Sequence, residues 1–191
     1  MRSEMPKTAK SRRARTDLRA YIEHVRGWRL KAHQIAWVEA LERLAYGTLK
    51  DSLGAPCRNL MILSWPASGK TEIFCAFVSW LIGVKFIELE DPTIGYLTYG
   101  DAISWDRSLA IRNTMFEEGK YREVFPEVAA CKEDGWGKDE WSILRYDRKS
   151  PHKTMNALGM TGSILSRRFR TIYLIDDPHG EDAIHSQVLR D

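Results

Sequence analysis

Apolar and polar positions along this chain separate a polar leader from a run of segments built to pack. Residues 1 to 16 are mostly Lys, Arg, Ser and Thr, with almost no large apolar side chain. Such a stretch buries too little surface to offset its chain entropy, so it predicts a disordered basic arm. From Asp17 to Trp28, Leu18, Tyr21, Ile22 and Val25 recur at helical spacing and predict a short helix. Between Ile35 and Ala45 one stripe holds Trp37, Val38, Leu41, Leu44 and Ala45, which predicts an amphipathic helix ending at Gly47. Lys50 to Arg58, with Gly54 and Pro56, reads as a loop.

The apolar run Asn59 to Leu63 predicts a strand that stops at a turn containing Pro66 and Ser68. Glu72 to Ile82 is apolar on nearly every side, so a deeply packed helix is expected, closed by Gly83. Pro92 to Tyr99 is rich in aromatic and β-branched residues and predicts a second strand. Asp101 is placed to cap a helix from Ala102 to about Phe116. Glu117 to Gly137 is polar and irregular, and Trp141 to Tyr146 reads as a short strand. Met155 to Ser163, with Gly159 and Gly162, predicts a turn where the backbone approaches something closely. Thr171 to Ile175 predicts a buried strand that runs directly into Asp176-Asp177-Pro178. Strand and helix alternate, which predicts an α/β domain over residues 17 to 191, with a mainly parallel central sheet flanked by helices.

Composition narrows the class. The hydrophobic fraction of 43% in 191 residues suits one domain with a real core. Net charge is only +3, yet residues 1 to 31 carry ten Lys or Arg against three acids. That asymmetry fits a nucleic-acid or partner-binding arm and equally a solvated tail. No apolar run nears the roughly 20 residues that cross a bilayer, and the N-terminus lacks a signal-peptide core. Cys57, Cys75 and Cys131 are scattered, which predicts free thiols in a reducing cytoplasm and no zinc site. His33, His152, His179 and His185 show no metal-ligand spacing, and His24 reads as a surface residue.

The candidate chemistry lies in two distant stretches. Ser64-Trp65-Pro66-Ala67-Ser68-Gly69-Lys70-Thr71 follows the phosphate-loop pattern G-x-x-x-x-G-K-[ST], with Ser64 in place of the first Gly. In such a loop, Pro66, Ala67, Ser68 and Gly69 form the backbone cradle of ATP. Lys70 reaches the β- and γ-phosphates, and the Thr71 hydroxyl holds Mg²⁺. Pro66 removes one N–H from the cradle. A Gly-Lys-Thr triplet alone is weak; its flanks and a downstream acid pair strengthen it. At the C-terminal edge of a parallel strand, Asp176 is suited to the Mg²⁺ shell and Asp177 to orienting or deprotonating a water. An Asx turn at a strand end explains the same pair without chemistry. Gln34, at a helix start, has an amide able to read an adenine edge, though a plain polar helix start explains it as well. Arg167 and Arg168 are candidate cations for the γ-phosphate, or a basic solvated turn.

Several stretches together resemble the ATPase domain of the large terminase subunit of tailed bacteriophages, the motor that packages viral DNA into proheads. These are Leu30 to Leu44 with His33-Gln34, Trp65 to Glu72, Tyr96 to Arg112, and Gly159 to Arg168 running into Ile175-Asp176-Asp177-Pro178. The resemblance covers residues of about 28 to 185. It implies an ASCE-type P-loop NTPase fold, ATP hydrolysis with Mg²⁺, and a homo-oligomeric ring acting on double-stranded DNA in the host cytoplasm. Portal protein and small terminase subunit are the implied partners. It makes Gln34 an adenine contact, Lys70 and Thr71 the phosphate and magnesium ligands, Asp176 the second-motif acid and Asp177 the catalytic carboxylate. Departures from the family pattern are Pro66 and Ala67 where many relatives carry an Arg, and Asp177 where many carry Glu. The family's coupling motif and nuclease domain lie beyond Asp191, so a truncated product, a split gene or a fragment is expected, without nuclease activity. Two other readings stay open: a non-hydrolysing nucleotide-binding remnant with an assembly role, and an unrelated helicase-like or kinase-like P-loop enzyme.

Overall fold

The computed structural model describes residue 6 and residues 8–147, 150–160 and 169–179 of the chain. Its first element is a helix, α1 (Ala9–Ala14), inside the stretch expected to be a disordered arm. The expectation fails because the helix is capped and anchored. Thr8 Oγ1 accepts from the Ser11 N–H at 3.0 Å, and Ser11 Oγ accepts from the Thr8 N–H at 3.1 Å. Ser11 and Ala14 are fully buried, and the Trp80 indole donates to the Ala14 carbonyl at 3.2 Å. Small residues let this helix sit close to the core while its arginines stay outside, so composition alone misreads it. Arg15, just beyond, pairs with Glu127.

The helix α2 (Leu18–Tyr21) starts at Asp17, whose side chain accepts from the Ala20 N–H, and continues into a π turn (Ile22–Arg26) ended by Gly27. Next come α3 (Ala32–Ala45) and α4 (Lys70–Ile87). The latter has thirteen buried residues among eighteen, as its all-round apolar sequence requires. Gly83 does not end it. The Phe125 ring lies against the backbone at that point, where a Cβ would stand 2.5 Å from the ring. Glycine is there to admit an aromatic ring.

The sheet is built from β1 (Ile94–Thr98), β2 (Glu140–Trp141), β3 (Met155–Gly159) and β4 (Ile172–Ile175), in the order β2-β3-β1-β4. The pairs β1–β3 and β1–β4 are parallel, and β2 is an antiparallel edge. All five residues of β1 are buried, as expected of a strand with neighbours on both edges and cover on both faces. Between strands run α5 (Asp101–Phe116) and α6 (Gly119–Val124). This is an α/β fold with a four-stranded, mostly parallel sheet flanked by helices.

Three more expectations change. Met155 to Gly159 is a strand, not a turn; the close approach is real at Gly159, where a Cβ would stand 2.7 Å from the Asp101 N. Asp101 does not cap α5. It sits in its first turn and accepts from the Gly159 N–H at 2.6 Å, pinning the helix start to β3. The run Asn59 to Leu63 joins no strand among the described residues. Leu60 and Ile62 pack on the core, whereas Met61 and Leu63 are 81% and 84% exposed. Along β4 the same split recurs: Leu174 is buried, Tyr173 and Ile175 exposed. No helix among the described residues is long and apolar enough to cross a membrane.

Candidate nucleotide-binding site

The parallel strands β1, β3 and β4 all end on one edge of the sheet, and α4 begins there. The chain from Ser64 to Thr71 forms the approach. Its ends are drawn together by a hydrogen bond from Ser68 Oγ to Ser64 Oγ at 3.0 Å. The serine in place of the pattern's first glycine therefore has a role, as a loop tie. Ala67 adopts φ 59° and Gly69 φ 86°, so the loop turns through the left-handed region twice. Pro66 and Ala67 are exposed and Ser68 is buried.

Gln34 from α3 fastens this loop. Its Nε2 donates to the Ser68 carbonyl at 3.0 Å, and its Oε1 accepts from the Lys31 N–H at 3.0 Å. The Ser68 carbonyl thus faces α3 and not the N–H of Glu72 one turn on. Among the described residues, no hydrogen bond takes up the backbone N–H groups of Ser68, Gly69, Lys70, Thr71 or Glu72. Converging N–H groups at the start of a long helix are an anion-binding arrangement. Beside them the His33 ring lies between Trp37 and Trp65, with centroids 5.1 and 4.9 Å away.

The two distant stretches meet. Thr71 Oγ1 donates to Asp176 Oδ2 at 2.7 Å across 105 positions. Lys70 Nζ stands 3.2 Å from Asp176 Oδ1 and 2.5 Å from Asp177 Oδ1. Both aspartates are held by their backbones against β1: the Asp176 N–H donates to the Leu97 carbonyl at 2.8 Å, and the Tyr99 N–H to the Asp177 carbonyl at 3.1 Å. Asp177, with φ 47°, turns its side chain out to 72% exposure, while Asp176 is 2% exposed. Burial works to lower the pKa of the Lys70 ammonium, but Asp177 and Asp176 outweigh it and raise it. Lys70 is therefore charged at neutral pH and already engaged by two carboxylates.

Comparison with known protein families, characterised proteins and solved structures gives no match for this chain.

Asp176 Oδ1 is buried, and among the described residues its near partner is the Lys70 ammonium at 3.2 Å, outside hydrogen-bond geometry. A buried carboxylate oxygen that is not fully satisfied by hydrogen bonds, beside a threonine hydroxyl, suits an oxygen-seeking cation. Thr71 and Asp176 thus fit a Mg²⁺ ion that completes its shell with phosphate oxygens and water. No group of three or more His, Cys, Asp or Glu side chains able to hold a metal occurs among the described residues, and a magnesium bound this way needs none. Of the residues singled out in the sequence, Gln34, Pro66, Ala67, Ser68, Gly69, Lys70, Thr71, Asp176 and Asp177 gather at this edge. Arg167 and Arg168 lie outside the described residues. Tyr96 was not anticipated. Its hydroxyl donates to Asp176 Oδ2 at 3.1 Å, and only the pairing register of β1 and β4 reveals it.

Proposed function

We propose that this chain is the ATP-hydrolysing domain of a DNA-packaging motor of the large terminase type, with an ASCE P-loop fold. The observation that carries the reading is the contact of Lys70 and Thr71 with Asp176 and Asp177. Phosphoryl transfer asks a protein mainly for positioning and charge neutralisation. Here the backbone N–H groups of the 68–72 turn, which no hydrogen bond among the described residues takes up, and Lys70 would hold the phosphates. Thr71 and Asp176 would hold Mg²⁺, which supplies charge neutralisation at the phosphate oxygens. Asp177, exposed at the same edge, would orient the attacking water. Gln34 retains one free amide hydrogen for an adenine edge while it fastens the loop. The four resembling stretches support the packaging role, with double-stranded DNA as substrate and portal protein and small terminase subunit as partners. A homo-oligomeric ring in the host cytoplasm belongs to the same reading.

The test is turnover by purified protein. Magnesium-dependent ATP hydrolysis, raised by double-stranded DNA and abolished in Lys70→Ala and Asp176→Asn, is expected. Tight ATP binding without turnover would point to a nucleotide-binding remnant, and absence of binding would remove the nucleotide reading altogether.

A further inference from the structure

Tyr96 occupies the centre of β1 and is fully buried. Its direct partner on β4 is Leu174. Asp176 lies two residues further along β4, so it is the diagonal neighbour of Tyr96 on the same face of the sheet. Diagonal neighbours are about 7–8 Å apart, within the span of an aromatic side chain. The phenol covers that distance, and its hydroxyl reaches the carboxylate. The first turns of α4 carry Thr71 and, one turn on, Cys75. The carboxylate is thereby divided. Oδ2 accepts from two hydroxyls, Thr71 at 2.7 Å and Tyr96 at 3.1 Å. Among the described residues Oδ1 makes no hydrogen bond and faces the Lys70 ammonium at 3.2 Å.

Resting on the nucleotide-site reading above, we infer that Tyr96 is a positioning residue for the cation. Its hydroxyl fixes the rotation of the Asp176 carboxylate so that Oδ1, and not Oδ2, faces the metal position. Thr71 cannot do this alone, because its hydroxyl sits on the α4 side and has to serve the cation as well. Tyr96 comes from strand β1 of the sheet and not from the phosphate loop. A group that orients a metal ligand from behind typically governs affinity for the metal by about 10- to 100-fold.

The experiment measures binding of a non-hydrolysable ATP analogue by calorimetry, in EDTA and across a Mg²⁺ series. Tyr96→Phe is expected to raise the Mg²⁺ concentration for half-maximal effect by about tenfold and to leave affinity in EDTA unchanged. Tyr21→Phe, which removes another buried hydroxyl, bonded to Ser79 at 2.8 Å, is expected to leave the Mg²⁺ dependence unchanged. The inference is overturned if Tyr96→Phe melts like wild type and shows the wild-type Mg²⁺ dependence. Should Tyr96→Phe not fold, p-aminophenylalanine in place of Tyr96 keeps the shape and a donor N–H. Wild-type Mg²⁺ dependence there supports the inference, and its loss in folded protein overturns it. Wild-type protein that binds the analogue under no condition overturns the nucleotide reading itself, and this inference with it.

Discussion

Gln34 lies directly over Gly69. Its amide nitrogen stands where a Cβ at position 69 would be only 2.6 Å away. The glycine is required twice, once by this contact and once by φ 86°. Gly69→Ala is expected to weaken binding of an ATP analogue by about tenfold or more, in line with the strain of roughly 1–3 kcal/mol that such a backbone conformation stores. Adding Gln34→Ala removes the collision but not the strained dihedral, so the double variant should recover part of the loss. Recovery to wild-type affinity would mean that the dihedral does not matter.

Asp177 holds Lys70 at 2.5 Å, and a γ-phosphate would compete for the same ammonium. Asp177→Ala leaves the lysine paired with Asp176 alone, at 3.2 Å. The exposed ion pair that it removes is worth little, so affinity for the analogue should rise by only about two- to fivefold. ATP turnover should disappear in the same variant. Weaker binding instead would show that Asp177 aids nucleotide capture.

Gly83 sits in mid-helix, where alanine normally stabilises by about 1 kcal/mol. Here the Phe125 ring occupies the space. Gly83→Ala is therefore expected to destabilise by about 1–3 kcal/mol through overpacking, read from urea unfolding. Combining it with Phe125→Leu should cost less than the sum of the two single changes, because the smaller side chain makes room.

Asp134 pairs with Arg145, whose side chain is 5% exposed, and with Lys153 at 3.2 Å. Burial pushes the Asp134 carboxyl up, but the Lys153 hydrogen bond and the Arg145 and Lys153 charges outweigh it and hold it below the usual carboxylate range. A lowered folded-state value adds stability that is present above the unfolded-state value, near pH 4, and is lost as pH falls toward the folded one. Asp134→Asn should thus be least stable relative to wild type at neutral pH, and the gap should close in acid. Thermal melts between pH 3 and pH 7, on an order-of-magnitude scale of the linkage effect, check this.

Much of this architecture is legible because periodicity reports burial. The stripe in α3 and the all-round apolar α4 each declare their surroundings; the run into Asp176 is a strand as expected but not a buried one, since Tyr173 and Ile175 are exposed. Motif spacing likewise anticipates that Lys70 and Thr71 meet the acid pair, although the run expected to be the strand before the loop joins no strand among the described residues. What escapes is whatever depends on a partner far away in sequence. Ala14 gives no sign that Trp80 will bond its carbonyl. Gly83 has the same letter as a helix stop and serves as a seat for a ring. Gly159 marks a close approach correctly, but its segment pairs with β1 and becomes a strand. Tyr96 looks like any β-strand aromatic until the register with β4 is known.

The uncovered side of the 59–63 ribbon has a practical outcome. Met61 and Leu63 give water one apolar seam on the stretch that leads into the Ser64–Thr71 loop, and Tyr173 and Ile175 give another on β4. Dyes that fluoresce in oily surroundings should light up on the folded protein, and detergent below its micelle concentration should quench that signal. Handling at high concentration would call for a mild surfactant or arginine buffer, since two such seams meeting face to face lose water from both.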